Sequence, residues 1–233
     1  MPIEIHRSLQ RGYFDHDWLK TFHTFSLGEQ RNQTQAGFRS LRAINENWMN
    51  PGVGFPVQLY HDVEMFSIIL EGGVTYQDSL GNGSIVRAGQ IELMSAGRGM
   101  ELGKFNASDS DRAHFYQFWI IPNHSKLKPS HQSKFFDPAA SHNKWCLILS
   151  KDGREGSLRI NQDISTYLSH LNPGRELTIE LEPNRYAWLQ VMDGSILLDG
   201  KEMGKGDGAS ISHLERLDLK ALDTSKIILF DLN

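Results

Sequence analysis

The sequence lacks the features that mark secreted, membrane-spanning and nucleic-acid-binding proteins. Its 233 residues include one cysteine, Cys146, so no internal disulfide can form, which favours a reducing compartment. No run approaches the roughly 18 apolar residues of a spanning helix, and the first residues carry no apolar signal segment. The net charge of −4 gives no broad positive surface for nucleic acid. We therefore expect a cytoplasmic protein that binds neither membranes nor nucleic acid directly.

The apolar residues that are present follow a β pattern. They make up 39% of the chain, and charged residues make up 22%, a balance typical of a protein that buries a core. From Gly54 to Phe118, short apolar runs alternate with glycine-rich turns at roughly ten-residue spacing. The turn at Gly81-Asn82-Gly83 is typical of a hairpin. The pattern predicts a small all-β barrel or sandwich.

The two halves of the chain repeat this pattern. The stretch Ile69–Val74 (ILEGGV) has the same character as Val191–Ile196 (VMDGSI). Between the halves, residues 122–143 are rich in proline, serine, asparagine and histidine and show little apolar periodicity, as a linker does. We therefore predict two β domains, residues 1–128 and residues 129–233, the second including the linker.

Local periodicity gives three further expectations. Trp18, Phe22 and Phe25 have helical spacing, which is compatible with a short helix, but we favour a segment that covers a sheet. Alternation from Val57 onward places one set of side chains on a shared strand face: Gln58, Tyr60, Asp62 and Glu64. His114 shares a face with Tyr116 and Phe118, so it either reaches the barrel interior or is a hydrogen-bonded wall residue.

Several stretches resemble the pirin family, and the resemblance covers nearly the whole chain. The most specific are Gln77-Asp78-Ser79-Leu80-Gly81-Asn82 and Met94-Ser95-Ala96-Gly97, and Glu64-Met65 and Leu70-Glu71-Gly72 also match. The resemblance implies an all-β bicupin. Its two cupin domains, of the jelly-roll type, would pack face to face, with any site in the N-terminal barrel.

The resemblance also implies a metal site and an activity. In the family a metal, usually iron, is held by His-x-His on one strand and His-x-Glu on another, an arrangement that leaves positions open for substrate and oxygen. Several bacterial members are quercetinase-like dioxygenases, whereas animal pirin is a transcription coregulator. This chain therefore resembles both enzymes and a regulatory protein.

The positions that correspond to the four ligands hold other residues. Counted from the shared motifs, the His-x-His pair falls on Gln58 and Tyr60, and the His-x-Glu pair falls on Leu102 and Lys104. Leucine has no lone pair to offer, and a protonated lysine repels a cation. We therefore expect no cofactor, and iron or another divalent transition metal only if the site has been rebuilt.

A rebuilt metal site would need ligands from the residues next to these four positions. His61 and Glu101 each lie one residue from a ligand position, and a one-residue step along a strand directs a side chain to the opposite face. Only a β-bulge would turn either of them inward. In the regular register both point away from the cavity.

Lys104 has three possible roles at its position. Its ammonium could extend to solvent at the barrel mouth. It could instead remain buried beside Glu64, Asp62 or a bound anion that offsets the cost of its charge. A third possibility is a desolvated, neutral amine with nucleophilic character.

The sequence thus predicts a pirin-like bicupin that has lost its N-terminal metal site. It would bind a small organic ligand or an anion in the N-terminal barrel, or act through protein interaction or regulation, with no particular partner indicated. Two alternatives stay open: a quercetin 2,3-dioxygenase-type oxygenase with an altered site, and a cofactor-independent enzyme that uses Lys104, Tyr60 and Glu64. Whether the protein is an enzyme is open, and no catalytic residue is assigned. The candidate pocket consists of Gln58, Tyr60, Glu64, Leu102, Lys104 and His114.

Overall fold

The structure, a computed structural model, describes residues 2–25 and 37–233, and these residues form an all-β protein. The first strands along the chain are β1 (Ile3–His6), β2 (Gly12–His16), β3 (Leu19–His23), β4 (Leu41–Met49), β5 (Gly54–Tyr60), β6 (Glu64–Glu71), β7 (Gly73–Asp78), β8 (Gly83–Arg87), β9 (Gln90–Ser95), β10 (Met100–Asn106) and β11 (Ala113–Ile120). The remaining strands are β12 (Ser130–Phe135), β13 (Cys146–Ser150), β14 (Leu158–Arg159), β15 (Ser165–Leu171), β16 (Glu176–Glu180), β17 (Tyr186–Asp193), β18 (Ser195–Leu198), β19 (Lys201–Gly204), β20 (Gly208–Ser212), β21 (Arg216–Ala221) and β22 (Ser225–Leu232). Among the described residues, short 3₁₀ turns occur at Ser8–Gln10, Pro138–Ala140 and Arg154–Gly156. In the described ranges no helix is long and apolar enough to cross a membrane.

The N-terminal unit comprises Gly12–Phe136 and Ile160–Gln162. It has a seven-stranded sheet in the order β12-β9-β6-β11-β4-β3-β2 and a four-stranded sheet in the order β5-β10-β7-β8. Alternate residues of the strands bury an apolar core that includes Met65, Val74 and Phe115. Each large apolar side chain buried in this way contributes roughly 1.5–3 kcal/mol.

The C-terminal unit comprises the residues up to Arg11 together with Asp137–Arg159 and Asp163–Asn233. Its sheets have the orders β1-β20-β17-β22-β15-β13-β14 and β16-β21-β18-β19. Its core is filled almost entirely by aliphatic side chains, such as Leu189, Leu198 and Leu229. The two units therefore repeat one architecture, a seven-stranded sheet with a four-stranded sheet, as the internal sequence repeat predicts.

The division of the chain differs from the predicted boundary between residues 128 and 129. The predicted linker contains β12, which pairs antiparallel with β9 from Ser130↔Ser95 to Phe135↔Gln90 and so extends the N-terminal unit. Strand β1 pairs with β20 and belongs to the C-terminal unit. Edge strands such as β12 need little apolar periodicity, because only part of their surface is buried.

The helical alternative for the segment with Trp18, Phe22 and Phe25 is wrong. Leu19–His23 is strand β3, which pairs with both β2 and β4. Leu19 and Thr21 are buried and Lys20 is exposed, the two-residue period of a strand. Three aromatic residues were too few to distinguish a helical period from a strand period.

Asn106 provides a test of how the end of β10 is held in place. Its amide nitrogen donates to the carbonyl oxygens of Met49, Asn50 and Asp111 at 2.9–3.0 Å. Its Oδ1 accepts a hydrogen bond from the Ser108 backbone N–H at 2.9 Å. In Asn106→Asp, a carboxylate that cannot donate would face three carbonyl oxygens. We expect a loss of about 2–4 kcal/mol in the free energy of unfolding, measured by urea titration with tryptophan fluorescence.

The matched control is Asn123→Asp, because Asn123 is exposed and lies in the same unit. It introduces the same charge change and should leave the urea midpoint nearly unchanged. Equal midpoints for the two variants would show that the Asn106 amide does not hold these loops.

Candidate functional site

A cavity of about 400 Å³ lies in the N-terminal unit. Strands β2, β3, β4 and β11 of the larger sheet and β5 and β10 of the smaller sheet supply its walls. The lining combines aromatic, imidazole, amide and hydroxyl side chains with one leucine and a single amine: Phe14, His16, Trp18, Leu19, Thr21, His23, Asn45, Asn47, Phe55, Gln58, Tyr60, Lys104, Gln117 and Trp119.

Strand register aligns the polar side chains of the larger sheet. Asn45 is paired with His23 on β3 and with Gln117 on β11, and Thr21 is paired with Asn47. Residues in register point to the same face of a sheet. A row of hydroxyl, imidazole and amide groups therefore lines the cavity where other strands present apolar residues.

An irregularity between β5 and β10 shapes the opposite wall. Leu102 is paired with Gln58 but Lys104 is paired with Phe55, so β5 contains one extra residue at Pro56-Val57. This bulge turns Phe55 to the same side as Gln58, and proline fits there because it has no N–H to donate. Gly54 allows the two strands to lie close together here, since a Cβ at this position would collide with the carbonyl oxygen of Lys104.

Lys104 is buried, with 2% of its surface exposed, and lines the cavity. Its Nζ donates to Gln117 Oε1 at 3.0 Å and lies 4.6 Å from the Phe55 ring centroid and 5.7 Å from that of Tyr60. Burial lowers the pKa of Lys104 to about 8, because loss of water disfavours the charged form. In the part of the chain that the structure describes, no carboxylate forms an ion pair with it. The expectations that it extends to solvent or pairs with Glu64 or Asp62 are therefore wrong.

Gln58 and Tyr60 lie in the cavity wall, as predicted. The Tyr60 hydroxyl donates to Gln58 Oε1 at 2.9 Å, and the Tyr60 ring meets the edge of Trp119 with 5.7 Å between centroids. Burial raises the pKa of Tyr60. The phenol therefore keeps its proton at neutral pH and serves as a hydrogen-bond donor.

Three polar atoms on lining residues have no hydrogen-bond partner within the described structure. They are Thr21 Oγ1, Asn45 Oδ1 and Gln117 Nε2, all buried. An unsatisfied buried polar atom costs about 1–3 kcal/mol. A polar molecule bound in the cavity would recover part of this cost by bonding to them.

Leu102, Glu64 and His114 do not line the cavity. Leu102 is fully buried in the apolar core. Glu64 does not share the face of Tyr60, because the chain turns at Asp62 (φ 50°) and Glu64 begins β6 in the other sheet. Its carboxylate accepts from Asn161 N at 2.9 Å and Asn161 Nδ2 at 2.8 Å.

His114 lies on the opposite face of β11 from Gln117. Its Nε2 is 3.0 Å from Glu46 Oε1, and its ring stacks on Trp48 with 4.2 Å between centroids. The second of the two expectations for His114, a hydrogen-bonded wall residue, therefore describes it. His61 is exposed, with Nδ1 3.1 Å from the carbonyl oxygen of Arg98, and Glu101 is also exposed.

The prediction from the sequence missed more than half of the residues that line the cavity. Phe14, Thr21, Asn45, Asn47 and Gln117 belong to no recognisable motif in the sequence. The signal that could have found them is the repeated placement of amides on otherwise apolar strands, as in Asn45-Glu46-Asn47. A buried strand carries an amide only where that amide has a partner or faces a site.

The residues of this cavity do not fit the iron centre that the resemblance implies. At the four ligand positions the chain offers an amide, a phenol, an aliphatic chain and an amine, whereas iron in such sites is held by imidazoles and carboxylates. Among the residues described, no three of the His, Cys, Asp or Glu side chains gather where they could hold a metal.

A second depression, also of about 400 Å³, lies on the four-stranded sheet of the C-terminal unit. Four of its five charged residues are paired, with Arg216 bonded to Asp218 at 2.9 Å and Lys220 to Glu176 at 3.0 Å, and the fifth, Asp199, is exposed. It presents no buried unpaired group, so the N-terminal cavity is the stronger candidate site.

Comparison with known proteins agrees with this architecture. Residues 4–120 match the family described as Pirin, and residues 147–232 match the one described as Quercetinase C-terminal cupin domain. A curated relative from Escherichia coli strain K12, named Quercetin 2,3-dioxygenase, is 34% identical over 99% of this chain and 98% of its own length.

Two solved structures from Escherichia coli are also similar. The crystal structure of YhhW superposes with a TM-score of 0.95 at 33% identity, covering 99% of this chain and 97% of that one. The crystal structure of bacterial pirin YhhW in complex with nickel(II) has a TM-score of 0.94 at 33% identity, covering 99% and 98%. The predicted all-β bicupin fold is confirmed, and this chain belongs to the pirin family.

Proposed function

We propose that the N-terminal barrel binds a small, flat aromatic acid without a metal ion. The observation that carries this proposal is a buried ammonium, that of Lys104, whose hydrogen-bond partner in the described structure is a neutral amide, Gln117. An unpaired buried charge is costly, on the order of several kcal/mol. An anionic ligand in the cavity would offset that cost.

Aromatic walls support the choice of a flat ligand. Rings from both sheets surround the cavity: Phe14, Trp18, Phe55, Tyr60 and Trp119. Rings prefer offset or edge-to-face contacts, which select planar partners. A volume of about 400 Å³ falls within the roughly 300–1,000 Å³ of small-molecule sites.

The relatives support the same class of ligand. Quercetin, in the name of the Escherichia coli relative, is a flat polyphenol whose hydroxyl groups are weakly acidic. In our proposal this chain keeps a cavity for such molecules and uses Lys104 where relatives would use a metal. The nickel(II) complex is a property of YhhW; the donor atoms at residues 58, 60, 102 and 104 of this chain do not favour it.

The first test compares wild-type protein with Lys104→Met by calorimetric titration with 2-naphthoate. Removing the ammonium should weaken naphthoate binding by about tenfold or more. Binding of the neutral analogue 2-naphthalenemethanol should change little, because the aromatic walls remain.

Lys128→Met is the matched control, since Lys128 is exposed, and it should bind both compounds as the wild type does. Equal naphthoate affinity in wild type and Lys104→Met would contradict the role of the ammonium. Failure of the wild type to bind either compound would contradict the proposed site.

A second test uses the effect of Lys104 on stability. Its pKa is about 8 in the folded protein and about 10.5 when unfolded, so the folded state binds the proton less tightly. The free-energy cost of burying the protonated Lys104 is fully present below pH 8 and disappears as pH rises toward 10.5. Lys104→Met should therefore be more stable than wild type by about 2–3 kcal/mol at pH 7, and the difference should shrink at pH 9.5.

Urea unfolding at both pH values measures this difference, with Lys128→Met as the control. Subtracting the wild-type curve at each pH removes the contribution of other titrating groups. If Lys104→Met gains the same free energy of unfolding over wild type at pH 7 and at pH 9.5, Lys104 is not an uncompensated buried charge.

A third test examines the metal directly. After incubation with nickel(II) and gel filtration, we expect the wild type to retain far less than one ion per chain. The fourfold variant Gln58→His, Tyr60→His, Leu102→His and Lys104→Glu supplies the family's donor set, and we expect it to retain about one ion. Elemental analysis gives the metal content, and stoichiometric nickel in the wild type would overturn a metal-independent site.

A further inference from the structure

We propose that Lys104 also acts as a nucleophile, forming a reversible imine with aromatic aldehydes or ketones that enter the cavity. This inference rests on the proposed site, because the carbonyl compound occupies the same cavity. It goes beyond the proposed function, since the ligand need not be charged and becomes covalently attached.

The first argument is the position of the amine. Lys104 Nζ is held by Gln117 Oε1 at 3.0 Å and lies close to the rings of Phe55 and Tyr60. A carboxylate partner would stabilise the protonated ammonium, in which the nitrogen has no lone pair available for attack. In the described residues no such partner exists, so loss of one proton leaves a lone pair available in the cavity.

The second argument is the ease of losing that proton. Burial lowers the pKa of Lys104 to about 8, so a substantial fraction of the amine is neutral slightly above neutral pH. Surface lysines, with pKa near 10.4, remain almost fully protonated under the same conditions. This difference supports selective reaction at Lys104.

The third argument concerns orientation of the carbonyl group. Gln117 Oε1 also accepts from Trp119 Nε1 at 3.1 Å, so two donors fix the direction of the amide. Its Nε2 is buried without a partner. A carbonyl oxygen that accepts from Gln117 Nε2 would place its carbon beside the amine that the same amide holds.

The chemical step balances without any additional reactant. The neutral amine adds to the carbonyl carbon, forming a C–N bond and, after proton transfer from nitrogen to oxygen, a carbinolamine. The C–O bond then breaks, the oxygen leaves as water, and nitrogen loses its second proton to give the C=N bond. The Tyr60 hydroxyl, which keeps its proton because burial raises its pKa, is our assigned donor to the departing oxygen.

The test is reductive trapping on the wild-type protein with 2-naphthaldehyde and cyanoborohydride at pH 8. A reduced imine adds the mass of the aldehyde less one oxygen atom, which intact-mass spectrometry detects. Peptide mapping then assigns the modified lysine. We expect Lys104 to be labelled about tenfold or more faster than any other lysine, and Lys104→Met to lose this fast phase.

A second variant separates charge from nucleophilicity. Lys104→Arg keeps the positive charge but has no reactive amine at neutral pH, so it should lose imine formation even where it still binds naphthoate. Because the mapping uses wild-type protein, misfolding of a variant would not remove the test. Labelling confined to surface lysines such as Lys128 would overturn the imine proposal.

The two proposals fail in distinguishable ways. Naphthoate binding by the wild type without adduct at Lys104 contradicts the imine and leaves acid binding in place. An adduct at Lys104 without naphthoate binding supports the imine and contradicts acid binding. Failure of both measurements contradicts both proposals.

Discussion

A buried ammonium bonded to a neutral amide is the interaction on which this site depends. Lys104 belongs to β10 of the four-stranded sheet and Gln117 to β11 of the seven-stranded sheet, so their hydrogen bond crosses the barrel. The bulge at Pro56 brings Phe55 against the same nitrogen. These contacts stabilise the charge only partly, because neither an amide oxygen nor a ring replaces the water that burial removes. A protein that required only stability would place a methionine or leucine here, as the neighbouring core does at Leu102 and Met100.

The comparison with relatives separates fold from chemistry. Superposition with a TM-score of 0.95 at 33% identity shows that this chain keeps the backbone of a bacterial pirin. The positions at which this chain departs from the family's ligands are a few side chains on β5 and β10, and a β-barrel can change such side chains without altering its strands. Similarity to a named relative is therefore stronger evidence for the fold of this chain than for the reaction that it carries out.

Much of the fold could be predicted from the sequence, but only part of the site could. Glycine-rich turns between short apolar runs predicted the strands, since those turns are local. Glu64 was placed on the wrong face because Asp62 adopts a left-handed conformation that ends the alternation, and nothing in the residue itself requires that turn. Gln117 was missed because its role depends on pairing with Asn45 across the sheet, a register that the local sequence does not encode.

The contrast between the two units supports the proposed site in the N-terminal barrel. Each unit combines a seven-stranded with a four-stranded sheet, yet aliphatic side chains fill the C-terminal core. In the N-terminal unit, polar residues occupy part of the corresponding interior: Thr21, Asn45, Asn47 and Gln117. An apolar side chain buried at each position would contribute roughly 1.5–3 kcal/mol. Three buried atoms of these polar residues have no hydrogen-bond partner in the described structure. The described part of the C-terminal unit also contains buried polar atoms without a partner, such as Thr166 Oγ1 and Gln190 Oε1. The N-terminal unit differs because its three unsatisfied atoms belong to residues that line one cavity together with a buried amine, an arrangement that a bound polar molecule would stabilise.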